Sequence, residues 1–174
     1  IETSINRGFW MVTWFKQEFG LREAIEAKKR GVAPETVLDE VISAIPPGCM
    51  GLMLQPHWGP PPNDKFAKGS IIGFGDVHTR AHIYRAILEG LGFELRRLYD
   101  NIKSGSGMFS SFEEAVSSIV RKVGTFTPDP VSQRIYDGLY NEVYLRTYEK
   151  LEPLCRGIAT ITGYPSPEKL GAAL

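Results

Sequence analysis

The side chains that could hold a metal or move a proton near neutral pH are three histidines, His57, His78 and His82. His78 and His82 stand four residues apart, a spacing that can set two ligands on one helix face. The glutamate and third ligand of a zinc protease do not accompany them, and the helix is expected to start between them. A helix-start role, with His82 bonded to a nearby loop, is therefore the favoured reading, and no metal site is predicted. Asp64 follows a proline-rich loop and has two options, catalysis or the capping of a turn, of which capping is the simpler. There is no Walker loop, no Gly-x-Gly-x-x-Gly fingerprint and no nucleophile elbow to support a serine triad. Gly105-Ser106-Gly107 alone reads as a linker. Tyr136, Tyr140, Tyr144 and Tyr148 recur every four residues. They would serve either as a stacking platform for bases or sugars or, more simply, as an aromatic stripe packed on the domain with hydroxyls at its rim.

The elements that must position these residues follow from periodicity. Ile5–Phe19 carries Phe9, Trp10, Val12, Trp14, Phe15 and Phe19 at helix-like recurrence and ends at Gly20. Leu21–Arg30 reads as a surface helix stopped by Gly31, its terminal Lys28-Lys29-Arg30 complementing the helix dipole. Pro34 opens a helix over Glu35–Ala44, and Pro46-Pro47-Gly48 breaks it. Met50–Gln55 and Ser70–Phe74 read as strands, antiparallel to each other. From Thr79 a long amphipathic helix shows Ile83, Ile87, Leu91, Leu95, Leu98 and Ile102 along one face. Gly90 and Gly92 weaken it by about 1 kcal/mol each against alanine, so a neighbour at short distance is expected to compensate. Lys103–Gly107 is expected to be a flexible joint. Ser110 or Ser111 would cap a helix over Phe112–Val123, and a last long helix would run from Val131 to about Ala159, with a loose tail after Gly163.

Composition bounds the rest. A chain of 174 residues can bury a substantial single core. With 20 basic and 20 acidic residues the net charge is zero, which argues against nucleic acid as a partner. The two cysteines, Cys49 and Cys155, lack metal or disulfide spacing and fit a reducing, cytoplasmic setting. No apolar run is long enough for a membrane span, and no leader precedes Ile1-Glu2-Thr3. On these features alone the chain is a helix-rich α/β domain.

The string Gly69–Glu89, GSIIGFGDVHTRAHIYRAILE, resembles a signature of the FGGY carbohydrate kinases in their carboxy-terminal domain. Gly69, Ile71, Gly73, His82, Ile83, Ala86, Ile87, Leu88 and Glu89 take its places, and Phe74 stands where a smaller aliphatic is usual. Pro46–Leu52, Leu54–Pro56, Asn63-Asp64, Lys68-Gly69, Gly107–Ala115 and Phe126–Tyr144 resemble flanking segments in the same order, so the resemblance reaches to about Gly163. It implies an α/β fold: an incomplete ribonuclease H-like lobe of the actin and hexokinase type, helix-rich, with a short β-hairpin. It implies a lobe over residues 1–163 with a tail over 164–174, and a parent that uses Mg-ATP to phosphorylate a sugar or polyol, commonly as a homodimer. Gly8 and Thr13 are the nearest counterparts of residues bordering the ATP, although a core role suits the adjacent Trp14 equally.

Three departures carry expectations. Gly59-Pro60-Pro61-Pro62 replaces a charged Gly-Glu-Arg step, which bears on substrate preference. The amino-terminal domain, with the aspartate thought to deprotonate the sugar, has no counterpart, so no catalytic residue is assigned and the chain by itself is expected to be inactive. The strand and glycine-rich turn that hold much of the adenosine are missing near 103–107. Either the chain is a shortened product or a stretch is omitted there, and the clean resumption at Gly107–Ala115 favours omission. The rival reading is a shortened, non-catalytic binding or oligomerisation module, with the Tyr136–Tyr148 face and the Trp58 loop as its contact surfaces.

Overall fold

The computed structural model describes residues 5–61, 64–105 and 126–163. Helix α1 (Trp10–Phe19) is followed by α2 (Leu21–Arg30) and α3 (Pro34–Ile42). A single 3-10 turn, Cys49–Gly51, leads into strand β1 (Met53–Gln55). Strand β2 (Ser70–Ile72) pairs with it antiparallel, Met53 opposite Ile72 and Gln55 opposite Ser70. Helix α4 (Arg80–Gly105) follows. Among the described residues after it, α5 (Pro130–Gly138), a π turn (Leu139–Tyr144) and α6 (Leu145–Thr162) form one continuous rod.

The helix ends obey their local chemistry. Gly31 closes α2 in the left-handed region, φ 66°, where glycine carries no Cβ penalty. Pro34 and Pro130 occupy first-turn positions, where a missing N–H costs nothing. Asp129 caps α5 by accepting the Ser132 N–H at 2.8 Å.

The short hairpin is covered on both faces, because alternate residues of a strand point to opposite sides. Leu54 enters a core cluster with Met11, Phe15, Leu38, Ile87 and Leu91, contributed by α1, α3 and α4. Met53, on the other face, meets Phe93, Tyr140 and Tyr144. The long helix α4 thus lies between the first three helices and the rod.

Several boundaries differ from expectation. Helix α1 starts at Trp10, because Asn6–Phe9 form turns in which Arg7 takes φ 58°. The first strand is shorter than Met50–Gln55, because Cys49 and Met50 also adopt positive φ in the 3-10 turn. Helix α3 ends at Ile42, two residues early, as Ser43 turns back onto Glu40. The expected joint at Lys103 is helical through Gly105. The buried stripe of α4 is rotated: Tyr84, Ala86, Ile87, Leu91, Phe93 and Glu94 are buried, whereas Leu95 is 53% exposed. The helix is gripped from two sides, by the first core and by the rod, so a single-face reading misplaces it. The expected helix over Phe112–Val123, its cap and the tail over 164–174 lie outside the described residues.

Candidate functional site

The signature residues converge on the junction of β1, β2 and α4, and each has a packing role. Gly69 lies under the Trp58 ring; a Cβ built there falls 1.9 Å from Trp58 Cε3. Trp58 in turn packs against Trp14, ring centroids 5.5 Å apart, so Trp14 serves the core rather than an open site. Gly73 ends the strand at φ 91°, and a Cβ would fall 2.1 Å from the Gly51 carbonyl oxygen. Both the backbone angle and the close approach require glycine there.

His82 acts at the start of α4. Its Nδ1 accepts the Thr79 N–H at 3.2 Å, the reach-back half of a capping box, and satisfies a donor that the helix leaves open. His78 accepts the Gly75 N–H at 2.7 Å through its own Nδ1, and the two rings meet edge to face at 5.4 Å. Among the described residues no group of three or more His, Cys, Asp or Glu side chains could hold a metal.

Glu89 is the hub. Its Oε1 accepts from Arg85 Nε at 2.8 Å, from the Tyr136 hydroxyl at 2.8 Å and from the Gly48 N–H at 3.3 Å. Arg85 also donates to the Ile42 carbonyl and to Tyr136 Oη, both at 3.2 Å. One carboxylate therefore ties α4 to the loop before β1 and to α5. Burial, and next the bond to Glu89, push the Tyr136 hydroxyl above its usual range.

Beyond this hub lies a groove of about 470 Å³ between α3, α4 and α5. Ile42, Leu88 and Phe93 form apolar walls, Gly92 the floor, and Arg96 stands at its edge. Arg96 lies over the Tyr140 ring at 4.2 Å and donates to Asp137 Oδ1 at 2.6 Å. No sequence signal marked this groove. It is assembled from three helices whose juxtaposition is tertiary.

The tyrosine ladder is a packed stripe. Tyr136, Tyr140 and Tyr144 donate to Glu89, Asp100 and Glu94 at 2.8, 2.8 and 2.7 Å, and Tyr148 donates to Asp64. Four-residue spacing on an α-helix drifts by ~40° per step. The π turn, in which the Leu145 N–H reaches back five residues to Tyr140, counters that drift. Tyr140 and Tyr144 consequently stack, with ring planes 16° apart. Gln55 braces the turn by donating to the Tyr144 carbonyl at 3.2 Å. Burial, then Glu94, drives the Tyr144 hydroxyl far up, so it stays a proton donor. At Glu94 burial is the largest single influence and acts upward. The bonds from Arg97 and Tyr144, with the charges of Arg97 and His57, outweigh it and hold the carboxyl low. Asp64 accepts the Phe66 N–H at 2.9 Å, which is the turn-capping role.

Gly8 and Thr13 flank the start of α1. Gly8 is buried in the turn, donating to Ile5 O at 3.0 Å, and a Cβ there would press on Ile5 at 3.1 Å. Thr13 is exposed. Neither residue lines the groove. Of the two surfaces named for a binding module, the tyrosine face has its hydroxyls bonded to Glu89, Asp100, Glu94 and Asp64, and Trp58 packs against Gly69 and, at a tilt of 59°, against Trp14. No helix among the described residues is long and apolar enough to cross a membrane.

Comparison with known proteins agrees with this architecture. The family model described as "FGGY family of carbohydrate kinases, C-terminal domain" matches residues 2–132. An uncharacterized sugar kinase, YgcE of Escherichia coli (strain K12), is 36% identical over 98 residues, 56% of this chain and 20% of that protein. A xylulose kinase of Bacillus subtilis (strain 168) is 35% identical over 89 residues, 49% of this chain and 16% of that protein. The crystal structure of xylulose kinase from Rhodospirillum rubrum superposes with a TM-score of 0.60 at 21% identity, covering 83% of this chain and 38% of that one. The matched stretches thus amount to about a fifth of the length of these curated relatives. The shared fold is ribonuclease H-like, represented here by a helix-rich part with a two-stranded sheet. With the signature residues building the hairpin–helix junction and the family model spanning most of its length, this chain belongs to the FGGY family of carbohydrate kinases, through their carboxy-terminal domain.

Proposed function

We propose that the chain is part of an ATP-dependent sugar or polyol kinase, its residues 1–163 belonging to the carboxy-terminal lobe. The observation that carries this reading is the family match over residues 2–132, centred on a hairpin–helix unit in which Gly69, Gly73, His82 and Glu89 each have a defined structural role. Bound Mg-ATP would supply the γ-phosphoryl group for a carbohydrate hydroxyl. Transfer of that kind depends on positioning and charge stabilisation between two lobes that close.

On this chain the exposed Thr13 hydroxyl is open to a nucleotide and would hydrogen-bond to it. Gly8 fits less well: its lack of a side chain is used against Ile5, so it would contribute the shape of the turn rather than a contact. No described cluster fits Mg²⁺, so the ion would be carried by the nucleotide and by the rest of the enzyme. The whole kinase would work in the cytoplasm and pair as a homodimer.

The chain alone would transfer no phosphate, because this lobe supplies no base for the sugar hydroxyl. A coupled ADP-release assay with pentuloses, hexonates and polyols tests both parts. Turnover by the 174-residue chain would refute its inactivity. Absence of turnover from the longer parent, with every sugar and ATP, would refute the kinase reading.

A further inference from the structure

Gly92 is not accounted for by the packing of the fold. It sits within α4, where glycine is among the weakest helix formers. Gly90, two residues earlier, has a reason, since a Cβ there would fall 2.4 Å from the Leu54 carbonyl oxygen. At Gly92 an added Cβ meets nothing within 4 Å, and the residue is exposed. What the missing side chain does is leave open the floor of the groove between α3, α4 and α5. That groove, at about 470 Å³, has the size of a small-molecule site and the corresponding lining, apolar walls with a few convergent polar groups.

The polar groups specify a ligand. At one end Arg85, Glu89 and Tyr136 are bonded to one another, a closed and rigid wall. At the edge stands Arg96, whose guanidinium lies over the Tyr140 ring. Among the described residues its hydrogen bond runs from Nη1 alone, to a carboxylate that is 43% exposed. A pair so exposed binds weakly and leaves the guanidinium able to take a second anion.

We propose that this groove binds a small amphipathic anion, its flat apolar body seated over Gly92 against Ile42, Leu88 and Phe93 and its carboxylate or phosphate at Arg96. The site is separate from Gly8 and Thr13, and the inference does not depend on the kinase reading. The test is calorimetric titration of the 174-residue chain with 2-naphthylacetate and its neutral amide. The acid is expected to bind at least tenfold more tightly than the amide. Gly92→Leu fills the floor with a better helix former, so the fold is kept, as circular dichroism would verify. It should weaken both probes tenfold or more. Arg96→Met keeps an apolar side chain of similar reach beside Tyr140 without the charge and should bring the acid down to the affinity of the amide. Unchanged affinity in Gly92→Leu, an acid preference that survives Arg96→Met, or no binding of either probe at millimolar concentration would overturn the proposal.

Discussion

Alanine at position 90 and alanine at position 92 should move the stability of this chain in opposite directions, although the two glycines share one helix. At Gly90 a Cβ would lie 2.4 Å from Leu54 O and 3.1 Å from Leu54 Cδ2, and heavy atoms within 3.0 Å of a Cβ essentially do not occur. Helix α4 must therefore back away from β1 by about half an ångström or more, in an interior too densely packed to absorb the shift. Leu54, Ala86 and Ile87, all 0% exposed, lose contact together. Overpacking of this kind costs about 2–3 kcal/mol. The better helix propensity of alanine returns about 1 kcal/mol, leaving a net loss of about 1–2 kcal/mol. In a chain of this length that is a fall in Tm of about 2–8 °C. At Gly92 the propensity gain stands alone, about 1 kcal/mol, and Tm should rise by about 2–4 °C. Differential scanning calorimetry of the two variants beside the parent chain decides the matter. A shift of both in the same direction, or no change for Gly90→Ala, would refute the assignment of Gly90 to close backbone approach.

Three further outcomes follow from the same geometry. Tyr144→Phe removes the hydroxyl that donates to buried Glu94 and should cost about 1.5–3 kcal/mol at pH 7, the worth of a hydrogen bond to a charged group. Because the Glu94 carboxyl is held below its unfolded value, its contribution is present above about pH 4.5 and is lost as the pH falls through its folded pKa. Urea denaturation should accordingly show the gap between Tyr144→Phe and the parent chain narrowing in acid, and a constant gap would count against the linkage. Gly69→Ala should force Trp58 off Gly69 and disturb its contact with Trp14, read as a shift in tryptophan emission with a loss of about 1–3 kcal/mol. Cys49, buried and pushed up to about 12 chiefly by desolvation, should resist alkylation at pH 8 in the folded chain and react once urea unfolds it.

The parts of this fold that were legible in the sequence are those set by local rules. Helix α2 was delimited to the residue by Leu21 and Gly31, and the hairpin's pairing sense followed from two apolar runs. The close packing anticipated at Gly90 was present, because a buried mid-helix glycine reports a neighbour's backbone. The same reasoning was wrong for Gly92, where a groove rather than a neighbour faces the helix. The tyrosine stripe was legible as packing, but its carboxylate partners were not. Glu89, Glu94 and Asp100 lie 47, 50 and 40 residues from the hydroxyls they accept, and nothing local marks such pairs. Leu95 was misplaced for a related reason: α4 is clamped between two clusters, which widens its buried arc and rotates it away from the simplest periodic face. The family resemblance was readable at Gly69–Glu89 because backbone constraint concentrates there, in two glycines beneath close neighbours and a histidine at a helix start.

The π turn at Leu139–Tyr144 absorbs a residue while leaving the angular phase beyond it almost unchanged. Its five-residue reach is equivalent to one extra residue accommodated inside an otherwise regular rod. Excising a single residue from that stretch would let the rod run on as an unbroken α-helix, with its hydrogen bonding intact. Residues past the excision would keep their direction to within a few tens of degrees, because the five-residue π reach and the four-residue α reach each close about one turn. Tyr148 would still face Asp64, and Cys155 would keep its buried seat. A one-residue deletion there would spare both the helix and its docking, whereas the same deletion in the regular α-helix just beyond would turn every later residue by ~100°.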